Sequence, residues 1–377
     1  MVRIVIYCAL LVTAAATLLD MNEDQWRAKC DTPELSWLKT YMRWAKQERS
    51  KGIPAAGVKY LVWSCDLPPG KKVNYAFCYG LSDRLRGILM ALRMAVASKR
   101  VLLVHQTLPA AMQEFLLPHF IDWGVHSTEL PAYQERVVFT KNVRACNGET
   151  PSGNPYVWDN FSCSLPSMFA NGSIHNVDSQ FLFVETNDIF YAPRPGLPHL
   201  FASGLAQHCA FTALFAASPA TIKAADRHLA LLGLQSPRAK FTVLHMRLGG
   251  LLGEAVDGFH HKDPVTIHEV VEAVACAKSF AAQKSNDSKL VFITDNIELR
   301  QLVSDKQFLP DLLSVAGTPV HWEGHKHKSL EPLLEVMADL AVMARSSCLI
   351  HSFSGFYKAA LLWSGTSCTH SLQECKR

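Results

Sequence analysis

Phe241-Thr242-Val243-Leu244-His245-Met246-Arg247-Leu248-Gly249-Gly250 sets six residues of strand character, Phe241–Met246, directly ahead of an arginine and two glycines. Beyond it, residues 269–283 read as a helix, 290–294 as a strand and 297–304 as a helix. Residues 318–322 read as a strand, 331–346 as a helix, Cys348–His351 as a strand and 356–363 as a helix. Strands alternating with helices predict a doubly wound parallel sheet, in which ligands bind beyond the carboxyl ends of the strands. That rule selects the residues that follow each strand: Arg247, Asp295 and Ser352-Phe353-Ser354-Gly355.

Working back towards the N-terminus, residues 73–78 have strand character and 80–83 read as a turn. Residues 84–98 read as a helix, with Leu85, Ile88, Leu89, Leu92 and Val96 on one face. Residues 101–104 are a short apolar run, as a strand buried on both faces requires. Strand, helix and strand make a βαβ unit, so both halves are expected to be α/β. Residues 146–176, rich in Gly, Pro, Asn and Ser, read as a surface insertion, and a helical stretch is expected near 207–217. Residues 20–70 carry Pro54, Pro68, Pro69 and Gly70 as punctuation and read as a stem. The expected division is 1–19 targeting, 20–70 stem, 71–225 N-terminal α/β domain and 226–377 C-terminal α/β domain.

Composition narrows the class. Hydrophobic residues are 49% of the 377 and charged ones 19%, which permits large cores and excludes a disordered chain. The net charge of +4 comes from 37 basic and 33 acidic residues without a basic stripe, so a dedicated nucleic-acid binder is not expected. Residues 4–19 are sixteen uncharged, mostly apolar positions between Arg3 and Asp20. They read as a secretory signal or a short type II anchor, marginal against the roughly 20 residues a span needs; a buried N-terminal helix is the alternative. Ten of eleven cysteines lie outside that run, an even number suited to disulfides in an oxidising lumen. Sequons at Asn160, Asn171 and Asn286 agree with a location in the ER or Golgi lumen. No metal site is expected. There is no CxxC and no Asp-x-Asp, His268-Glu-Val-Val-Glu lacks the second histidine of HExxH, and His321, His325 and His327 read as a solvated loop.

Four constellations can carry chemistry. Arg247 at a strand end can clamp two phosphate oxygens with its planar fork, His245 can orient that arginine or a phosphate, and the glycines let backbone approach a ligand. The plain alternative is a salt-bridging arginine. Ser352 to Gly355 opens a helix, where N–H groups and the dipole favour an anion, or it is only an N-cap. A serine-hydrolase elbow fails, because G-x-S-x-G needs glycine at position 352. Asp295 can accept from a ribose hydroxyl or a base, or cap the following helix. Asp339, on an apolar helical stretch, wants a partner such as a purine edge, or it faces solvent. Gly80-Leu81-Ser82-Asp83-Arg84-Leu85-Arg86-Gly87 sets two cations and a carboxylate at a strand's carboxyl end, or is a Ser82-capped helix start.

Taken together, Gly80–Gly87 with Arg100–Val104, His245-Met246-Arg247-Leu248-Gly249, Val291–Asp295 and Ser352-Phe353-Ser354-Gly355 resemble the blocks of the GDP-fucose-using fucosyltransferases of GT-B type. That superfamily includes protein O-fucosyltransferases, α1,6-fucosyltransferases and xyloglucan fucosyltransferases. Asp339 stands fourteen residues before Phe353, the spacing at which the α1,6 enzymes carry a guanine-contacting Asp. The resemblance implies a GT-B-like α/β fold of two opposed Rossmann-like domains with parallel sheets. It implies an inverting enzyme that needs no metal or other cofactor and takes GDP-fucose as donor and a glycan or glycoprotein as acceptor. Arg247 would hold the β-phosphate, assisted by His245, Ser352, Phe353, Ser354 and Gly355. Asp339 and Asp295 would read guanine and ribose, Gly80, Arg84 and Arg86 would lie on the acceptor side, and Asp83 is a candidate base. The chain departs from the family at Leu248, where a second arginine can stand, and at Asp83, where protein O-fucosyltransferases have Asn. Another nucleotide-sugar transferase, or a silent lumenal glycan-binding protein on the same fold, are the alternatives.

Overall fold

The computed structural model describes residues 21–65, 80–132, 137–140, 157–159, 178–185, 200–201, 203–236, 239–248, 265–284, 289–318, 320, 322 and 329–376. The apolar run at 4–19, the strand expected over 73–78, the three sequon asparagines, Gly249, Gly250, His321, His325 and His327 lie outside the described residues. The chain divides into an N-terminal unit, Asn22–Ala216 with Trp322–Lys326, and a C-terminal unit containing Ala217–His321 and His327–Arg377.

The N-terminal unit opens with helices α1, Glu23–Cys30, and α2, Ser36–Arg49. Asn22 and Gln25 start α1 as a reciprocal capping box, each side chain accepting the other's backbone N–H at 2.9 and 3.0 Å. α2 buries Leu38, Tyr41 and Ala45, an i, i+3, i+7 stripe. Next come β1, Tyr60–Cys65, α3, Leu81–Ser98, β2, Val101–Gln106, and β3, Leu116–Pro118. They are followed by β4, Val137–Thr140, β5, Val157–Asp159, β6, Phe181–Glu185, α4, Gly204–Leu214, and β7, Phe215–Ala217. β3 pairs with β7, and the main sheet has the order β2-β1-β6-β4-β5 with every pair parallel.

These elements correct three readings. Residues 22–65 are not a stem, because β1 lies between β2 and β6, with Tyr60 opposite Val101 and Phe181. Its residues are buried throughout, and each fully buried large apolar side chain is worth about 1.5–3 kcal/mol. The Tyr41 hydroxyl locks α2 to that sheet, donating to Arg100 O at 3.1 Å and accepting from Leu102 N at 2.9 Å. The supposed surface insertion contains a sheet strand, β5. The stretch at 207–217 is a helix to Leu214 and then a strand.

The C-terminal unit runs α5, Pro219–Leu231, β8, Phe241–Met246, α6, Ile267–Lys284, β9, Lys289–Thr294, and α7, Ile297–Ser304. It continues with α8, Glu331–Arg345, β10, Cys348–His351, α9, Gly355–Ser364, and β11, Thr369–Ser371. Its sheet has the order β11-β10-β8-β9, again all parallel, with Leu244 opposite Ile350 and Phe292. Leu244, Val270, Val274, Phe292, Leu299 and Ile350 form the core between this sheet and helices α6 and α7. The strand expected over 318–322 is not found among its described residues. The parallel bridge beside β9 comes earlier, at Leu313, which accepts from Phe292 N at 2.7 Å and donates to Leu290 O at 3.0 Å. The unit begins at 217 rather than 226 because α5 belongs with α8, tied by Asp226–Arg345 at 2.8 Å and His228–Glu335 at 2.6 Å.

Disulfides match the cysteine reading. All seven described cysteines are disulfide-bonded, with Cys30–Cys209, Cys276–Cys375 and Cys348–Cys368 as pairs whose two halves are both described. Among the described residues no helix is long and apolar enough to cross a membrane.

Candidate active site

Sheet register assembles the site. Pairing of β8 with β10 sets His245 beside His351, and pairing with β9 sets Met246 beside Thr294. The chain therefore leaves the three adjacent strands as Arg247, Ser352 and Asp295, three positions selected by the strand-end rule. Ser352 N donates to His245 O at 2.9 Å, and Arg247 N donates to Ser352 Oγ at 2.8 Å. Asp295 completes the arrangement: its Oδ1 accepts from Leu248 N at 2.7 Å, and its Oδ2 lies 3.2 Å from Arg247 Nε. The arginine is anchored by its backbone N–H, is paired by charge with Asp295, and keeps part of its side chain exposed, 21%.

Asp295 is thus not the cap of α7. Asn296 is, its Oδ1 accepting from Leu299 N at 2.8 Å. Nor does Ser352 open α9; Ser354 does, with Oγ accepting from Phe356 N at 3.0 Å. The helix N-terminus with its field and N–H groups begins at Ser354 and Gly355, two residues beyond the serine that latches Arg247. Phe353, between them, is 67% exposed, with Lys358 Nζ 5.8 Å from its ring centroid.

Two histidines stiffen the floor. His245 is buried, its Nδ1 has no hydrogen-bond partner, and its ring meets Phe356 at 5.6 Å. Burial, with Arg247 and His351 nearby, pulls its pKa down to about 4 against the attraction of Asp295. It is therefore neutral at pH 7 and can offer a ring N–H but no charge. His351 stacks on Tyr357 at 3.4 Å, with Nδ1 3.1 Å from Ser352 O, and burial lowers its pKa too.

Asp339 does not join this group. On α8 it is buried against Arg300, with contacts of 2.5 and 3.2 Å, and His228 Nδ1 lies 3.4 Å away. Burial raises its pKa, but Arg300 and His228 outweigh that and hold the carboxyl below the usual range. Arg300 also donates to Val315 O at 3.0 Å and Thr294 O at 3.4 Å, so Asp339 ties α8 to the carboxyl edge of the sheet. Beside this network opens a cavity of about 460 Å³, lined by Arg227, His228, Gly317, Thr318, Glu331 and Glu335 among others. Sequence reading missed Arg300, His228 and Glu335, because an ion pair between distant helices leaves no local pattern.

In the N-terminal unit the α3 block is placed differently from its reading. The helix starts at Leu81 with Gly80 as N-cap, three residues ahead of the expected start. That turns Arg84 inward: it is buried and donates to Cys65 Sγ at 2.9 Å, Gln106 Oε1 at 3.2 Å and Leu108 O at 2.5 Å. Arg84 therefore braces the end of β1 and β2 and is not a surface cation. Asp83 and Arg86 pair at 2.8 Å, with Asp83 partly exposed at 32%. The one described cluster of metal-ligand atoms, Cys348, Cys368 and His370, has its two sulfurs joined to each other.

No protein-family profile matches the chain, and no curated protein matches it in sequence. Among solved structures, FUT1 of Arabidopsis thaliana, a point mutant in complex with GDP, aligns with 93% of this chain and 85% of its own at TM-score 0.53 and 14% identity. POFUT1 in complex with GDP-fucose gives 0.46 over 83% and 98% at 13%, and the NodZ α-1,6-fucosyltransferase co-crystallised with GDP gives 0.47 over 80% and 91% at 13%. The chain is similar to FUT1 in fold: α/β and GT-B-like, with two Rossmann-like parallel-sheet units.

Proposed function

We propose that this chain is a glycosyltransferase that moves fucose from GDP-fucose to a glycan or glycoprotein acceptor, with inversion and without a metal. The observation that carries the reading is the Arg247 clamp, an arginine fixed by Asp295 and Ser352 beside the N-terminus of α9. A guanidinium and a helix N-terminus are both complementary to a diphosphate. In the reaction an acceptor oxygen bonds to the anomeric carbon of fucose as the bond from that carbon to the β-phosphate oxygen breaks. The electron pair leaves on GDP, and the hydroxyl proton passes to a base. Arg247 stabilises the charge growing on the β-phosphate, and being fixed beforehand it needs no reorganisation at that moment. The Ser354–Gly355 turn supports the diphosphate, and neutral His245 donates without adding charge. Asp83, the exposed end of an ion pair with Arg86, is the candidate base.

Disulfides support a lumenal location in the secretory pathway, since such bonds persist in oxidising compartments. The test is to incubate the purified chain with GDP-fucose, GDP-mannose and UDP-sugars and measure nucleotide release. GDP release from GDP-fucose supports the reading. Turnover only of another donor points to a different transferase, and neither turnover nor binding of a GDP-sugar points to a silent glycan-binding protein.

A further inference from the structure

Asp339 is the carboxylate that the resemblance assigns to guanine, yet it has little to offer a ligand. It is 5% exposed, and its two oxygens face the guanidinium of Arg300. One turn earlier on the same face of α8, Glu335 lines the cavity of about 460 Å³, a volume in the range of ligand pockets. Its Oε2 is 2.6 Å from His228 Nε2, and its Oε1 meets Arg227, whose side chain is half exposed. An ionised carboxylate has about four acceptor positions, so two remain for a ligand. Gly317 forms the facing wall, where an added Cβ would stand 3.7 Å from Glu335 Oε2.

We infer that Glu335, and not Asp339, selects the base of the donor, accepting from N1–H and the N2 amine of guanine. Those two donors lie side by side, the arrangement a carboxylate matches; adenine offers a bare N1 at the same edge, and hypoxanthine keeps N1–H but lacks the amine. Asp339, with both oxygens taken up by Arg300, contributes to stability and not to the choice of base. The inference rests on the GDP-sugar reading above.

Calorimetric titration of the full chain with GDP, IDP and ADP tests it. The unaltered chain is expected to bind GDP about 10-fold or more tighter than IDP, the scale of one hydrogen bond to a charged group, and ADP more weakly still. Glu335→Gln should weaken GDP binding about 10-fold or more and bring the GDP-to-IDP ratio near one. Gly317→Leu, which fills the cavity, should weaken both alike, and Asp339→Asn should leave the ratio as it was. The ratio reads only folded protein, so partial unfolding of Asp339→Asn does not alter it; should that variant not fold, Glu335→Gln decides. An unchanged ratio in Glu335→Gln, or a lost ratio in Asp339→Asn, overturns the inference. GDP binding without preference over IDP in the unaltered chain also overturns it while the donor reading stands, whereas no GDP binding at all sinks the donor reading itself.

Discussion

Asp295 holds the Arg247–Leu248 segment at two points: one carboxylate oxygen lies 3.2 Å from the Arg247 Nε, and the other accepts the backbone N–H of Leu248 at 2.7 Å. Asp295 is a positioning residue in the proposed site, acting on the donor through the guanidinium it orients. Asp295→Asn removes the charge and keeps the shape. It should lower kcat/KM for donor turnover about 10- to 100-fold, the scale of a small misplacement of a catalytic group. The loss should fall mainly on kcat, with the melting temperature nearly unchanged; equal loss in binding and stability would mark Asp295 as merely structural.

Ser354 caps α9 through its contact with Phe356 N. Ser354→Ala should cost about 1 kcal/mol of stability, as loss of an N-cap does. Ser354→Gly should cost only a few tenths, because glycine leaves the cap N–H groups open to water. Urea unfolding of both variants checks the ranking.

Arg300 and Asp339 are a buried pair, 2% and 5% exposed. Arg300→Met leaves Asp339 without its main partner and should destabilise by about 3–5 kcal/mol. The double variant Arg300→Met with Asp339→Leu should recover much of that, since an apolar pair strands no charge. Denaturant midpoints of the two variants against the unaltered chain measure the difference.

His245 gives a pH signature. Its folded pKa, about 4, lies below the unfolded value near 6.5, so the unfolded chain takes up the proton first. Its contribution to stability is full above about pH 6.5 and is lost as pH falls towards 4, amounting to roughly 3 kcal/mol. His351, lowered in the same direction, adds to the slope. Asp339 does not, because a carboxyl held below its usual value keeps its contribution until pH falls further. Urea unfolding at pH 7.5, 5.5 and 4 should show this decline, and His245→Asn should flatten it.

Strands at 241–246, 290–294 and 348–351 were legible because parallel strands are short apolar runs between helices, and their ends named Arg247, Asp295 and Ser352. What those residues do to one another was not legible. The bond from Arg247 N to Ser352 Oγ spans 105 residues and depends on strand register. The stem reading of residues 22–65 fails because proline and glycine punctuation outweighs Tyr60–Cys65, a mostly apolar run like the one at 101–104. A three-residue error in the start of α3 was enough to present Arg84 as a cleft cation when it is buried beneath the helix.

Donor turnover by Arg247→Ala tests the central claim most directly. With GDP-fucose as substrate, nucleotide release should fall at least about 10²-fold while the circular-dichroism spectrum and melting temperature stay close to those of the unaltered chain. Arg247→Lys should recover only part of it, because an ammonium cannot reproduce the planar fork. Turnover by Arg247→Ala at the rate of the unaltered chain would contradict the account.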